Sequence, residues 1–297
     1  MQFAISGASG LVGSALAASL TSDGHAVRRL VRGGTRGADV AWDPQTGSVD
    51  SAQLEGLDGV VHLAGEGIAT GRWSDEKKRR IRESRVKGTD LIARTLAGLA
   101  RRPPVLVCAS AVGFYGPRGD EELDDAAAPG TSFLSEVCRA WESAADPARA
   151  AGIRVAHTRF GVVLSKKGGA LAKMLTPFRL GAGGRLGSGR QWMSWISIDD
   201  TVGAIRHALA NASVSGPVNA VAPKPVTNAE FTKALGRALS RPTIFPMPAF
   251  AARLAFGEMA DELLLSGQRV VPKRLLATGY AFRHTELDAA LRHVLAS

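Results

Sequence analysis

The chain is short of cysteine, tyrosine and long apolar runs, and each shortage removes a class of function. Its two cysteines, Cys108 and Cys138, have neither a CxxC spacing nor enough partners for a disulfide framework. Cys108 lies in an apolar run, which marks it as a buried small hydrophobe rather than a redox group. No apolar stretch reaches the roughly 18 residues that span a bilayer, so no membrane partner is expected. Met1 leads straight into a strand pattern, without the charged and apolar regions of a secretory leader, and a cytoplasmic protein is the expectation. No group of His, Cys, Asp and Glu has metal-ligand spacing, so no metal is expected. Internal repeats and long disordered tracts are also missing. Aromatic residues make up 6% of the chain and do not interleave with basic ones, which disfavours nucleic acid as a partner.

What is there is ordinary for a globular protein. With 297 residues, 45% hydrophobic and 22% charged, the chain can build one large α/β domain or two closely joined ones. The net charge of +10 is unevenly spread. Residues 1–165 hold 20 Lys/Arg against 19 Asp/Glu, whereas residues 166–297 hold 17 against 8. That excess points the second half toward an anion, and a phosphorylated small molecule is the first candidate.

Strand and helix patterns alternate through the first half. Residues 2–6 form a short strand, followed by a glycine-rich turn and an apolar-periodic helix from Leu11 to about Ser22. Further strands are expected at 26–31, 59–63, 105–110 and 154–160. Ser74 is a good N-cap for a helix running to about Leu99, with Asp75 and Glu76 in its first turn. Another helix is expected at 134–150. This rhythm predicts an α/β fold with a Rossmann-type, doubly wound parallel sheet. Beyond residue 165 it breaks: a glycine-dense loop (181–189), an apolar strand (192–198), a helix capped by Asp199-Asp200, and amphipathic helices near 228–239 and 249–265. The expected organisation is a dinucleotide-binding domain over 1–165, to which 195–222 returns. A smaller, mostly helical substrate-binding cap over 166–297 would include a C-terminal module at 240–297.

Gly7-Ala8-Ser9-Gly10-Leu11-Val12-Gly13 is a GxxGxxG placed directly after a strand and opening a helix. Glycines let the backbone turn tightly and approach a pyrophosphate, and the helix N-terminus supplies N–H donors and partial positive charge. NAD-preferring sites place an acid after the second strand, on the ribose hydroxyls. Here that strand ends Arg28-Arg29-Leu30-Val31-Arg32, with no acid before Asp39. A guanidinium pairs with a 2′-phosphate and a carboxylate repels it, so NADP(H) is the expected cofactor and Arg32 its best-placed ligand. Arg28 and Arg29 read equally well as solvated surface.

With these features, the His62-Leu63-Ala64-Gly65 segment and Ser110, the chain resembles the extended, atypical short-chain dehydrogenase/reductases. Ordered motifs narrow the resemblance: WDP (42–44), LAGE (63–66), RW (72–73), SR (84–85), FGVVL (160–164), GSGRQ (187–191), WISIDD (195–200), NAVAP (219–223), TNAEF (227–231), GQRVVP (267–272) and LLATGY (275–280). They are similar to the epimerase family, described as nucleoside-diphosphate-sugar-epimerase-like and including short-chain dehydrogenase family 39U, with a small C-terminal domain of uncharacterised function. The resemblance implies that Val31 and Arg32 meet the adenosine 2′-phosphate. It puts Leu63, Ala64 and Gly65 along the cofactor and brings Arg85 in from the following helix, with Phe160, Gly161 and Val162 on the nicotinamide side. Arg82 shares Arg85's helix face and is expected to turn inward with it.

The same resemblance implies a Tyr-x-x-x-Lys pair for acid–base work beside a hydride donor, and the chain has none. Its two tyrosines are Tyr115 and Tyr280, followed four residues on by Gly119 and His284. The helix that would carry the pair presents Leu134 and Cys138 instead. Ser110 holds the superfamily's Ser/Thr position, and Tyr115 is the nearest phenol, either an acid or a pocket wall. Glu66, Arg190 and Trp192 are candidate substrate contacts, and His62 reads as a hydrogen-bonded histidine in a strand. Two functions compete. One is an oxidoreductase or epimerase acting on a phosphorylated or nucleotide-linked, sugar-like molecule. The other is an NADP(H)-binding sensor or regulator that lacks the acid–base pair. A homodimer is compatible with either.

Overall fold

The computed structural model describes residues 1–296. Its centre is an eight-stranded sheet in the order β12-β8-β6-β5-β1-β2-β3-β4. Following the chain, β1 (Gln2–Ser6) leads into α1 (Leu11–Ser22), β2 (Ala26–Val31), β3 (Val40–Asp43) and β4 (Ser48–Val49). Next come β5 (Gly59–His62), α2 (Asp75–Gly98), β6 (Val105–Ala111), β7 (Glu122–Leu123), α3 (Phe133–Ser143), α4 (Asp146–Ala150) and β8 (Arg154–Phe160). Every pairing in the large sheet is parallel except β3 with β4. Strand order reverses between β1 and β5, which puts a topological switch point at the carboxyl end of β1, directly over Gly7.

Period-two alternation decides which core each side chain joins. Phe3, Ile5, Val61, Val105 and Val107 face a core shared with Leu16 and Leu20 of α1 and Ile205 of the helix after β11. Ala4, Val60, Leu106 and Cys108 face the other core, with Ile92 and Leu96 of α2. A parallel sheet covered on both faces needs near-continuous apolar strands, and Val105–Ala109 is buried throughout. Each such Leu, Ile or Val contributes about 1.5–3 kcal/mol by leaving water.

The second half adds β9 (Val162–Leu164), α5 (Gly169–Arg179), β10 (Trp192–Met193), β11 (Trp195–Ser197), α6 (Ile198–Ala210) and β12 (Gly216–Ala220). It ends with β13 (Val226–Thr227), α7 (Asn228–Leu239), α8 (Ala249–Phe256), β14 (Arg269–Val270), α9 (Lys273–Ala277) and α10 (Leu287–Ala296). β12 pairs with β8 and so returns to the main sheet. A separate core joins Leu171, Leu175 and Phe178 of α5 to Phe231 and Leu235 of α7 and Leu287 and Leu291 of α10.

Local chemistry explains where the elements differ from the sequence expectation. The helix expected over 134–150 is two helices, because Pro147 stands at the first turn of α4, where its missing N–H leaves no hydrogen bond back into α3. The helix expected over 249–265 stops at Gly257, which takes φ +61°, and resumes as a single π-type turn at Ala260–Leu264. The strand expected over 192–198 divides at Ser194, whose carbonyl turns to accept from the Val162 N–H. Ser197, not Asp199 or Asp200, caps α6: its hydroxyl accepts from the Asp200 N–H at 3.0 Å. Among the described residues no helix is long and apolar enough to cross a membrane.

Candidate functional site

β1 ends in a turn that only glycine can make. Gly7 has φ +68°, and a Cβ there would lie 2.8 Å from the Leu63 carbonyl carbon and 2.9 Å from the Ala64 nitrogen. A methyl group on Gly13 would overlap the Gly7 carbonyl oxygen, so the first turn of α1 can press onto the loop only without one. Gly10 is the N-cap and has no side chain to offer; the first turn also lacks an acid. Ser9 and Gly10 are exposed. The opening N–H groups and the positive end of the helix dipole therefore face outward without an internal partner. Such a cradle fits a pyrophosphate.

The floor of the cradle is pinned from below. Ser6 Oγ and His62 Nδ1 are 2.6 Å apart, and the same hydroxyl accepts from the Leu63 and Ala64 N–H groups at 3.2 and 3.4 Å. Burial pushes the His62 imidazole down to about 4, so the ring is neutral. The expectation of a fully hydrogen-bonded histidine is half right: Nε2 is buried without a partner, beside Gly88 and the Trp42 ring.

Three arginines lie on and just past β2, and the fold gives them different partners. Arg29 makes a bidentate pair with Asp39 at 2.8 and 3.0 Å, and that bonding holds the Asp39 carboxyl below its ordinary value. Arg28 donates to the Gln53 carbonyl at 2.7 Å. Arg32 is exposed at the end of β2, beside half-buried Val31, and its guanidinium has no hydrogen bond or ion pair among the described residues. Arg85 does reach in from α2. Its Nη1 donates to the carbonyls of Glu66 and Ile81, both at 3.0 Å, and its guanidinium lies 4.9 Å from the Trp141 ring centre. It thereby backs the Leu63-Ala64-Gly65 segment, and a Cβ on Gly65 would touch it at 3.4 Å. Arg82 stays exposed, contrary to the expectation that it turns inward with Arg85.

The end of β6 is built differently. Ser110 is 2% exposed and donates to Glu142 Oε1 at 2.7 Å. Arg159 closes a bidentate pair on the same carboxylate, with both contacts at 2.8 Å, and its guanidinium carbon lies 3.4 Å from the Phe114 ring centre. Arg159 also donates to Tyr115 Oη at 2.9 Å, and that phenol lies 2.6 Å from Asn219 Oδ1 and 3.0 Å from the Asp124 carbonyl. Burial pushes the Tyr115 phenol up to about 12. Tyr115 is fully enclosed, which corrects the reading of it as an acid facing a substrate. Leu134 and Cys138 are both buried on α3, and burial pushes the Cys138 thiol up to about 12. Neither can supply the proton that a Tyr–Lys pair would.

Phe160, Gly161 and Val162 carry the chain from β8 into β9. Gly161 donates to Ala220 at 3.2 Å and Val162 to Ser194 at 2.8 Å, which ties this strand end to the second half. The three candidate substrate contacts are scattered. Glu66 is paired with Lys77 at 2.6 Å, and that bond holds its carboxyl below the ordinary value, which makes it a poor base. Trp192 donates from Nε1 to Asp120 at 2.7 Å beneath Arg269, whose guanidinium carbon lies 5.0 Å from its ring centre. Arg190 is exposed. The glycine-dense loop before it is pinned by three of its backbone donors: Leu186 N–H on Asn228, Gly187 N–H on Met247 and Gly189 N–H on Leu186. A groove of about 930 Å³ runs from Ser9–Leu11 along α1 and α6 and is bordered by Lys166, Lys167, Arg206 and Arg283.

One constellation was invisible to sequence spacing. Asp199, His284 and His293 come from three separate segments, and their ligand atoms lie within 4.8 Å of one another.

A doubly wound parallel sheet with a glycine turn at its switch point defines a dinucleotide-binding Rossmann protein. Residues 3–221 match the NAD dependent epimerase/dehydratase family, and residues 247–294 match a domain of unknown function, DUF1731. The chain belongs to this epimerase family. It is 47% identical over 291 residues to an epimerase family protein of Mycobacterium tuberculosis, covering 97% of this chain and 95% of that one. It is 38% identical over 301 residues to human epimerase family protein SDR39U1, covering all of both chains. The crystal structure of human SDR39U1 (isoform 2) with NADPH superposes with a TM-score of 0.91 at 36% identity, covering 100% of this chain and 99% of that one. A Corynebacterium glutamicum nucleoside-diphosphate sugar epimerase superposes at 0.83 with 42% identity, over 99% of this chain and 58% of that one.

Proposed function

We propose that this chain binds NADP(H) across the Gly7–Gly13 turn and serves as an oxidoreductase of the epimerase family acting on a small anionic molecule, phosphorylated or nucleotide-linked. The observation that carries the cofactor assignment is the division of labour at the end of β2. Arg28 and Arg29 are bound within the protein, and Arg32 alone of the three is left exposed without a partner. In this reading Ser9, Gly10, Leu11, Val12 and Gly13 hold the pyrophosphate, and Val31 and Arg32 hold the adenosine 2′-phosphate. Leu63, Ala64 and Gly65 line the dinucleotide over Arg85, and Phe160, Gly161 and Val162 wall the nicotinamide end. The solved NADPH complex of SDR39U1 supports the choice of cofactor. The cofactor, when bound, supplies hydride.

The chain's own residues restrict the proton transfers that accompany the hydride. Ser110 is the protic group nearest the strand end, but its hydrogen is committed to Glu142, whose side chain Arg159 also grips. With Ser110, Tyr115 and Cys138 all buried, the proton that accompanies the hydride is released to water in the oxidising direction and taken from water in the reducing direction. The decisive experiment is paired titration of NADPH and NADH against the unaltered chain and Arg32→Ala. A lost charge-assisted contact of about 1.5–3 kcal/mol predicts roughly 10–100-fold weaker NADPH with NADH little changed. Equal weakening of both would sink the 2′-phosphate assignment.

A second reading, an NADP(H)-binding sensor without turnover, is favoured by one observation: Ser110, Tyr115, Leu134 and Cys138 are all buried. NADPH oxidation against a panel of carbonyl compounds and nucleotide sugars separates the two. NADPH-dependent turnover of any member of the panel supports the enzyme. Tight NADPH binding with no turnover on the whole panel supports the sensor.

A further inference from the structure

We propose that Asp199, His284 and His293 form a binding site for a divalent zinc-class cation that clamps α10 onto the start of α6. Two adjacent carboxylates at that helix start are put to different uses. Asp200 is fully buried, and its oxygens accept from Ser197 Oγ at 2.9 Å, Tyr280 Oη at 3.1 Å, the Arg283 N–H at 2.7 Å and the His284 N–H at 3.0 Å. Asp199 points the other way. Its Oδ2 is 3.0 Å from His293 Nε2 and 4.0 Å from His284 Nε2. The two imidazoles lie 4.5 Å apart between centres, inclined at 32°.

Two imidazoles and one carboxylate are a zinc donor set, with bonds of about 2.0–2.2 Å that put tetrahedral ligand atoms roughly 3.4 Å apart. The observed separations bracket that value. The placing of His284 adds to this. Its side chain is 15% exposed, and its Nε2 is too far from Asp199 to hydrogen-bond and has no other hydrogen bond among the described residues. A shared cation would satisfy it. The ligand is also preset, because the Asp200 carboxylate fixes the His284 backbone, as the outer partners of metal ligands commonly do. Asp199 also borders the groove along α1, together with Arg283 and Val294. Arg283 is the opposing charge nearby and tempers the affinity. A cation here would join residues distant in sequence and raise the stability of the folded state by mass action.

The test uses the untagged full-length chain stripped of metal and titrated with Zn²⁺ against a chromophoric chelator. One equivalent per chain is expected, with a rise in the thermal midpoint that Mg²⁺ at the same concentration does not give. Asp199→Asn and His284→Ala should each weaken binding by at least about tenfold, the scale at which even outer partners matter, whereas His25→Ala leaves it unchanged. In the unaltered chain, Zn²⁺ should shift the ring resonances of two of the six histidines, and the variants identify them as His284 and His293. Three results would overturn the proposal: no stoichiometric binding, binding that survives in both ligand variants, or resonance shifts at other histidines only.

Discussion

The turn after β1 and the end of β6 are separated only by β5, yet they treat their polar groups in opposite ways. Around Gly7–Gly13 the helix N-terminus has no side-chain cap, its flanking residues are exposed, and Arg32 has no partner among the described residues. Around Ser110 every protic group is committed: serine to carboxylate, carboxylate to guanidinium, guanidinium to phenol, phenol to amide. Unmet hydrogen-bonding capacity at a surface is capacity for a ligand, whereas a closed buried network contributes to fold specificity and leaves nothing to donate. The first region is therefore built to bind and the second to hold its shape.

The contrast can be broken most forcefully at Glu142. Replacing it with alanine strands Arg159 in the interior and is expected to cost about 3–5 kcal/mol of stability, read from urea unfolding at constant slope. A loss under 1 kcal/mol would mean that the network is not structural. Acid comes next. His62 lies under the cradle and His157 lies on β8, and burial pushes both down to about 4 from the ordinary 6.5. Above pH 6.5 neither affects stability. Between pH 6.5 and 4 the unfolded chain takes up protons that the folded one refuses, so stability falls with falling pH, by roughly 3 kcal/mol per histidine, and then levels off. Denaturant midpoints across that range should fall less steeply in His157→Phe.

Gly13→Ala sharpens the other side. The added methyl must displace the Gly7 carbonyl, at roughly 2–3 kcal/mol of folded-state stability, and because that carbonyl belongs to the turn that would receive the pyrophosphate, NADPH affinity should also drop by up to about 100-fold while the hydrogen bonds of the Glu142 network stay in place. The smallest effect belongs to Tyr115→Phe. Arg159 and Asn219 each lose a partner, which costs roughly 1–2 kcal/mol. Any NADPH-dependent turnover should keep its rate, since the phenol faces no substrate; a large fall in kcat with unchanged stability would return Tyr115 to the chemistry.

Much of the nucleotide half was legible because its signals are local. The bounds of β1, α1, β2 and β8 follow from period and from glycine breaks, and Ser74 caps α2 as its sequence suggests, accepting from the Lys77 N–H at 3.2 Å. Short strands such as β3 and β4 escaped, since two to four residues carry no period. Ser197 was passed over as the cap of α6 because the two acids beside it were the louder signal.

The candidate site divides along the same line. The backbone demands of Gly7 and Gly13, the vacancy of acid after β2 and the loss of the Tyr–Lys pair are properties of neighbouring residues, and the sequence by itself determined them. Which arginine is left over, where the Tyr115 hydroxyl points, and the meeting of Asp199 with His284 and His293 depend on partners tens of residues away. Only tertiary structure could decide those, because charges and hydrogen bonds are settled by proximity in space, and proximity is fixed when the sheet and its covering helices close.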